Sequence, residues 1–376
     1  MRITGAVLEE CGRSAPYEQT RPLTISELEL DAPQRGEVLV RMETAGVCHS
    51  DLSVVNGDRI RQVPMLIGHE ACGIVEAAGD GVELSPGQRV VMVFQPRCGE
   101  CEACRSGGRR LCEPGNAANA AGTLMGGGIR LTRDGNPVHH HSGVSGFATH
   151  AVIHRSSVIP IPPDVPPEVG ALLGCAVLTG GGAVKNAAQL RAGESVVVFG
   201  AGGVGMAAAL VAAALGASRV TVIDPVESKH ERARAIVADE AMSPRAAAER
   251  GLQAEVVIEA TGNAAAFAQG VETVAPGGRL VAVGLGNPAD NATVNPLAVV
   301  AQSKTIIGSY LGSGDPVRDV PEYVDLWRQG RLPIEKLVSG TVGLDEVNRA
   351  MDDLASGAAL RQIIAFPPDS QGSEGR

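Results

Sequence analysis

From residue 1 to about residue 45, apolar and polar positions alternate, punctuated by glycine and proline. This period-two pattern predicts short antiparallel strands. The β-rich, loop-rich character continues to about residue 165, where the run Ile159-Pro160-Ile161-Pro162-Pro163-Asp164-Val165-Pro166-Pro167 marks a change. Beyond it, strand-like runs at 196–199, 220–223, 256–259, 280–284 and 305–307 alternate with helix-like stretches, the first of them starting at Val204. Such alternation predicts a parallel sheet with crossover helices. After about residue 315 the pattern turns helical again, most clearly over 317–328 and 344–356. The last ten residues, 367–376, are polar and expected to be disordered.

A chain of 376 residues is long for a single core, so two domains are expected. A net charge of −10 with no basic block argues against nucleic acid or an anionic membrane surface as partner. The apolar start Met1-Arg2-Ile3-Thr4-Gly5-Ala6 is too short for a secretion signal. The alanine-rich stretch 207–217 falls short of the ~20 residues of a membrane span. A cytoplasmic protein that engages no membrane is the expectation.

The eight cysteines are unevenly placed. Cys98, Cys101, Cys104 and Cys112 fall within 15 residues at the spacing C-x2-C-x2-C-x7-C. Four thiolates so spaced can close a tetrahedron around one zinc ion with no open position, the pattern of a structural site. Four reduced cysteines or two disulfides are the alternatives, and the crowding of half the cysteines into one short lobe speaks against both. Cys11, Cys48, Cys72 and Cys175 lie outside the lobe. Cys48 stands in Val47-Cys48-His49-Ser50-Asp51, His69 in Ile67-Gly68-His69-Glu70, and Cys175 in Leu173-Gly174-Cys175-Ala176-Val177. Two cysteines and one histidine leave a fourth zinc position for water or substrate, which marks a catalytic site. Taken alone, Cys175 reads first as core filling. It gains meaning only with the motif that follows. Thiolates poised for zinc also point to a reducing compartment.

That motif is Ser195-Val196-Val197-Val198-Phe199-Gly200-Ala201-Gly202-Gly203-Val204-Gly205-Met206, followed by the alanine-rich run and then by Arg219-Val220-Thr221-Val222-Ile223-Asp224. A G-x-G-x-x-G turn between a strand and a helix, with an acid closing the next strand, is a complete dinucleotide-binding unit. Gly200 permits the tight turn, Gly202 lets the backbone approach a pyrophosphate, and Gly205 packs helix on strand. Gly203 and Val204 open a helix whose N-terminus attracts the phosphate charge. Asp224 would accept hydrogen bonds from the adenosine ribose and repel a 2′-phosphate, so NAD(H) is expected over NADP(H).

Together these features resemble the zinc-dependent medium-chain alcohol dehydrogenase family along nearly the whole chain. Gly36-Glu37-Val38-Leu39-Val40, Gly68-His69-Glu70-Ala71-Cys72-Gly73-Ile74-Val75, Pro86-Gly87-Gln88-Arg89-Val90, Gly174-Cys175, Thr179-Gly180 and Val283-Gly284-Leu285 carry the likeness with the cysteine lobe and the glycine turn. The extended stretch between Cys112 and Phe147, including Gly135-Asn136-Pro137-Val138-His139-His140, resembles the longer, liver-type branch.

The resemblance implies an α/β protein with a GroES-like β-rich catalytic domain and a Rossmann cofactor domain with a doubly wound parallel sheet. The catalytic domain is expected over 1–177, with the structural zinc lobe at about 95–113. The NAD-binding domain is expected over 178–314, and the chain returns to the catalytic domain over 315–376. Two zinc ions are implied per chain. Cys48, His69 and Cys175 hold the catalytic one, Asp51 anchors a ligand, and Glu70 sits behind the metal as an occasional ligand or an ion-pair partner. Ser50 takes the proton of the alcohol and passes it through the cofactor ribose. His49, Thr179, Gly200, Gly202, Gly203, Val204, Gly205, Asp224, Lys229, Val283 and Arg361 contact the cofactor. Phe94, Leu285 and Tyr310, with Ser53 nearby, line a largely apolar substrate slot suited to an uncharged small-molecule alcohol or aldehyde. A homo-oligomer is implied, a dimer before a tetramer.

Two departures stand out. Ser53 occupies a position where liver-type enzymes often carry a relay histidine, and His49 stands where they often carry a pyrophosphate-binding arginine. The block His139-His140-His141 is expected to be a solvated loop outside the metal shells. Other readings on the same scaffold are a biosynthetic reductase of an activated C=C or C=N bond, a glutathione-dependent formaldehyde dehydrogenase, and a non-catalytic binding protein. The intact ligand set and glycine turn speak against the first and the last.

Overall fold

The computed structural model describes residues 1–367. The disorder expected at the C-terminus falls, apart from Pro367, on residues outside that range. The described chain forms two compact units. One comprises Met1–Cys98, Glu113–Leu172 and the segment from Val338 onward. The other comprises Gly99–Cys112 and Leu173–Leu337.

In the first unit the N-terminal alternation becomes two sheets. One has six strands in the order Asn136–Pro137, Leu131–Arg133, Leu23–Leu30, Arg2–Leu8, Met65–Leu66 and His139–His140. The other has seven strands and is organised around Glu37–Val47, which pairs antiparallel with Ala71–Ala78, His150–His154 and Gln362–Ala365. Val38, Val40 and Met42 alternate along that strand into one core cluster with Leu8, Ile67, Val90, Phe147 and Ile364. Each fully buried aliphatic side chain contributes about 1.5–3 kcal/mol, so the strand is held from several sides. Its last residue, Val47, leads directly into Cys48, which fixes the start of the candidate site to the most anchored strand of the unit.

The second unit carries a six-stranded, wholly parallel sheet. Its order is Glu240–Met242, Arg219–Ile223, Ser195–Phe199, Ala254–Glu259, Val274–Ala282 and Thr305–Gly308. The first strand in sequence lies in the middle and the order reverses beside it, the doubly wound arrangement. Val197, Phe199, Ile223, Val257 and Leu280 fill its core.

Boundaries differ from those expected. The chain stays with the second unit to Leu337, and the return begins at Val338 instead of residue 315. The helix Pro316–Arg328 stays there because it buries Asp319, whose carboxylate accepts from Lys185 Nζ at 3.1 Å and Asn186 Nδ2 at 2.9 Å. The earlier division falls between Leu172 and Leu173, not after residue 177, and the cysteine segment from Gly99 groups with the second unit. The helix Pro167–Ala187 is long and apolar enough by composition to cross a membrane, yet 89% of its apolar window is buried within the protein.

Candidate functional site

Cys48 closes the strand Glu37–Val47 and caps the short helix His49–Val55. Asp51, in the first turn, folds back so that Oδ2 accepts from the Cys48 N–H at 3.1 Å, while Oδ1 lies 2.7 Å from Nδ1 of His69. With Nδ1 engaged, Nε2 is the ring nitrogen presented to a metal, the usual way a ligand imidazole is oriented. Gly68, just before His69, has φ 98° and a Cβ there would sit 2.5 Å from Phe147 N, so only glycine fits. Cys175 rides on a π-helical turn, Leu173–Val177, a feature frequent at functional sites. Cys48, His69 and Glu70 are all buried in the first unit, and Cys175 is buried in the second.

The electrostatics suit a cation. Burial disfavours the charged form of both His69 and Asp51. Even so, Asp51 and Cys48 raise the His69 pKa well above its ordinary value, and His69 and His141 hold the Asp51 carboxyl below its own. Behind the cluster, Glu70 is fully buried and its Oε1 lies 3.6 Å from Nε of Arg361. The Arg361 guanidinium also donates through Nη1 to the Val47 carbonyl at 3.1 Å. A Cβ on Gly46 would come 2.1 Å from that Oε1, so the glycine makes room for the carboxylate. Arg361 therefore packs against Glu70 and Val47, at 2% exposure.

The histidine block is not a solvated loop. His140 is fully buried and His141 is 4% exposed. The His140 Nε2 accepts from the Arg130 N–H at 3.1 Å, and His141 packs beside His69 with ring centroids 5.5 Å apart. Asp51, His69 and His141 form a second tight group of potential ligand atoms. The sequence reading missed His141. Its signal was the turn chemistry of Ser142-Gly143-Val144-Ser145-Gly146 directly after it, which marks a folded-back segment and not an open loop.

In the second unit, Cys101, Cys104 and Cys112 bring their sulfurs within 4.8 Å of one another, and Cys98 ends the first segment of the other unit. Cys101 caps the helix Glu102–Arg105 and accepts from the Cys104 N–H at 3.4 Å. Burial, and the neighbouring thiols of Cys101 and Cys112, push the Cys104 thiol up to about 12. A divalent cation held by these sulfurs would reverse that penalty. Among the described residues no disulfide forms.

In the second unit, Gly200 turns with φ 101° at the end of Ser195–Phe199, and the helix Gly203–Ala214 begins after Gly202. A Cβ on Gly205 would lie 1.9 Å from the Gly200 carbonyl, whereas one on Gly202 would meet nothing within 4 Å. That is the division of labour a dinucleotide turn needs, with close packing at Gly205 and open backbone at Gly202. The N–H groups of the first helical turn, from Gly203 and Val204 onward, lack intrahelical acceptors and present positive charge. Asp224 follows Arg219–Ile223. Its oxygens accept from the Ala201 and Val226 N–H groups, each at 2.9 Å, and Lys229 Nζ lies 3.6 Å away. Thr179 and Val283 are buried in the same unit.

Of the remaining expected residues, Ser50 is half-buried and His49 exposed on the helix His49–Val55. Ser53 donates to the His49 carbonyl at 2.7 Å. Phe94 stands edge-on to His69 at 5.4 Å between centroids. Leu285 and Tyr310 are exposed on the second unit.

Comparison with known proteins agrees with this geometry. The family model described as alcohol dehydrogenase GroES-like domain matches residues 34–163, and that described as zinc-binding dehydrogenase matches residues 203–329. The chain belongs to the zinc-dependent medium-chain alcohol dehydrogenase family. This dehydrogenase is 34% identical to alcohol dehydrogenase B of Mycobacterium tuberculosis, over 94% of its own length and 98% of that protein's. It is equally 34% identical to the NDMA-dependent alcohol dehydrogenase of Amycolatopsis methanolica, over 98% and 100%. The crystal structure of benzyl alcohol dehydrogenase from Acinetobacter calcoaceticus superimposes with a TM-score of 0.89 at 31% identity, covering 98% of this chain and 100% of that one. The GroES-like and Rossmann pairing is thus the fold of this alcohol dehydrogenase. Its four-cysteine set and its cysteine–histidine set suit zinc, and its glycine turn suits a nicotinamide cofactor.

Proposed function

We propose that the chain is an NAD(H)-dependent zinc alcohol dehydrogenase that interconverts a primary or secondary alcohol and its aldehyde or ketone. The observation that carries this reading is the buried pair Cys48 and His69, with Asp51 holding Nδ1 of His69, to which the family likeness adds Cys175. When bound, zinc supplies electrostatic polarisation of the substrate oxygen, and NAD supplies the hydride acceptor. Cys48 and Cys175 balance the metal charge as thiolates, and Asp51 keeps the His69 ring in one orientation. Ser50, two residues after Cys48, receives the hydroxyl proton of the alcohol. Glu70, backed by Arg361, stands by the ligands as a fixed charge.

For the cofactor, Gly200, Gly202 and Gly205 let the pyrophosphate approach the helix start at Gly203 and Val204, and Asp224 with Lys229 selects the ribose of NAD. His49, Thr179 and Val283 complete the proposed cofactor contacts. Phe94, Leu285 and Tyr310 are the proposed substrate contacts, and their apolar surface favours an uncharged aliphatic or aromatic alcohol. The need for reduced thiols favours a reducing compartment such as the cytoplasm. We also infer a homodimer. The edge strand Thr305–Gly308 exposes Ile306, and the helix Pro296–Ala301 exposes Leu297 and Val300, an apolar edge that a second copy of the chain covers.

The deciding experiment is a panel of alcohols and aldehydes assayed by nicotinamide absorbance on zinc-replete protein. NAD-coupled turnover of at least one uncharged alcohol supports the reading. Turnover confined to activated C=C or C=N substrates replaces it.

A further inference from the structure

His141 has no part in the roles given so far, yet its ring meets His69 and two groups beside it. Its Nδ1 lies 3.3 Å from Oδ1 of Asp51. The Gly68 N–H donates toward the same Nδ1 at 3.2 Å. The ring also packs edge-on against His69, with 74° between planes. Asp51 and Gly68 are the two groups that place His69, one by holding its Nδ1 and the other as the residue before it in the chain.

The turn that carries His141 is itself held tightly. Its N–H donates to Ser145 Oγ at 3.1 Å, and its carbonyl accepts from Val144 at 3.0 Å and Ser145 at 3.2 Å. The Gly146 N–H closes the contact by donating to the Gly68 carbonyl at 3.0 Å. Ser142 and Ser145 sit at φ 53° and 55°, a left-handed conformation that persists in non-glycine residues only where the surroundings over-determine it. Burying an imidazole at such a place costs desolvation that an apolar ring of the same size does not incur. A polar atom is therefore required at Nδ1. With the ring hydrogen on Nδ1 the imidazole donates to Asp51, and with it on Nε2 the imidazole accepts from Gly68. Either way one hydrogen bond forms at the same point.

We propose that His141 is a positioning residue for the zinc ligand His69, acting through the Asp51 carboxylate and the Gly68 backbone. The proposal rests on the reading of Cys48, His69 and Cys175 as a zinc site. Its consequence is read in metal retention, independently of turnover.

The test follows zinc release to a coloured chelator from the zinc-loaded wild type, His141→Phe and His141→Asn, with the absorption spectrum of each cobalt(II)-substituted protein alongside. Phenylalanine keeps the ring and removes Nδ1, while asparagine keeps a polar atom near the Nδ1 position. The expected result is release of the faster zinc about 10–100-fold sooner from His141→Phe, with a shifted cobalt spectrum. His141→Asn should restore most of both, and the four-cysteine zinc should leave at the wild-type rate throughout. Wild-type release from His141→Phe, or no rescue by asparagine, overturns the proposal and leaves His141 as packing. If His141→Phe does not fold, His141→Gln takes its place, and wild-type release from it overturns the proposal equally. A wild type that yields only one zinc sinks the metal reading and this proposal with it. Two zincs in the wild type with an indifferent variant sink the His141 role alone.

Discussion

Arg361 and Glu70 form a buried ion pair, with Nε of one 3.6 Å from Oε1 of the other. Because Arg361 also donates to the Val47 carbonyl, the pair joins the residue before Cys48 to the residue after His69. Removing one partner of a buried pair leaves the other charge in a low-dielectric setting and costs about 3–5 kcal/mol. Arg361→Met should therefore lower the unfolding free energy by about that amount in urea titration. The double variant Glu70→Gln, Arg361→Met should recover most of the loss. A single variant as stable as the wild type would show that the pair contributes no net stability.

The orientation of His69 depends on Asp51, so Asp51→Ala should weaken the open metal site without touching the closed one. Wild-type protein is expected to hold two zinc ions with different release rates to a gentle chelator. In Asp51→Ala the faster phase should accelerate by about 10–100-fold, the range typical of groups that orient a ligand. The slower phase, from Cys98, Cys101, Cys104 and Cys112, should not move. Equal acceleration of both phases would point to general loosening of the fold.

How far the sequence revealed this site depended on how far apart in the chain its parts lie. The four-cysteine set, the turn from Gly200 to Gly205, and Cys48 with Asp51 are local patterns, legible because ligand geometry fixes their spacing. Parallel strands were legible as compact β-branched runs separated by helices. His141 was not, because its contact with Gly68 spans 73 residues and exists only once the strands Met65–Leu66 and His139–His140 have paired. Arg361 reaches Val47 across 314 residues, a contact that no local pattern announces. The return point at Val338 escaped for a similar reason. A helical pattern says which residues are apolar, and it does not say which unit receives them.

Acid stability should report the burial of His140. Burial, reinforced by Arg130 and His139, drives its pKa down to about 3 in the folded chain. Between that value and the ordinary histidine range near ~6.5, the unfolded chain binds a proton that the folded chain excludes. Stability therefore falls as pH is lowered through this window, by about 1.4 kcal/mol per pH unit from this group alone. His140→Gln, which keeps an acceptor for the Arg130 N–H and does not titrate, should flatten the slope of unfolding free energy against pH by that amount. An unchanged slope would show that His140 is protonated in the folded protein.

Asp224 sets the cofactor prediction. Its carboxylate is held by the Ala201 and Val226 amides, so it is fixed in place, and a 2′-phosphate brought beside it meets a like charge. Such juxtapositions cost several kcal/mol, so kcat/KM should favour NAD over NADP by about 100-fold or more. Asp224→Asn keeps the size and one amide acceptor, and it should narrow the ratio chiefly by improving NADP. Comparable kcat/KM for the two cofactors in the wild type would mean that Lys229, at 3.6 Å, neutralises the carboxylate.

The proton path is the most exposed prediction. Ser50 lies on the first turn of the helix that follows Cys48, while Ser53, one turn on, has its hydroxyl turned back to the His49 carbonyl at 2.7 Å. If Ser50 receives the alcohol proton, Ser50→Ala should lower kcat for alcohol oxidation by about 100-fold or more, within the range of acid–base groups. NAD affinity, measured by fluorescence titration, should stay near the wild-type value. Ser53 donates inward and offers no group that titrates near neutral pH, so on this reading the step that delivers the proton to solvent is expected to use water or another base. Ser53→His places an imidazole there and should raise the oxidation rate at about pH 6–7, where the ring exchanges protons readily. Zinc content should be unchanged, since Ser53 is not among the donor atoms of either cluster. A Ser50→Ala enzyme with unaltered kcat, assayed where hydride transfer limits turnover, would mean that the proton leaves by another route. The Cys48-His49-Ser50-Asp51 segment would then serve metal binding alone.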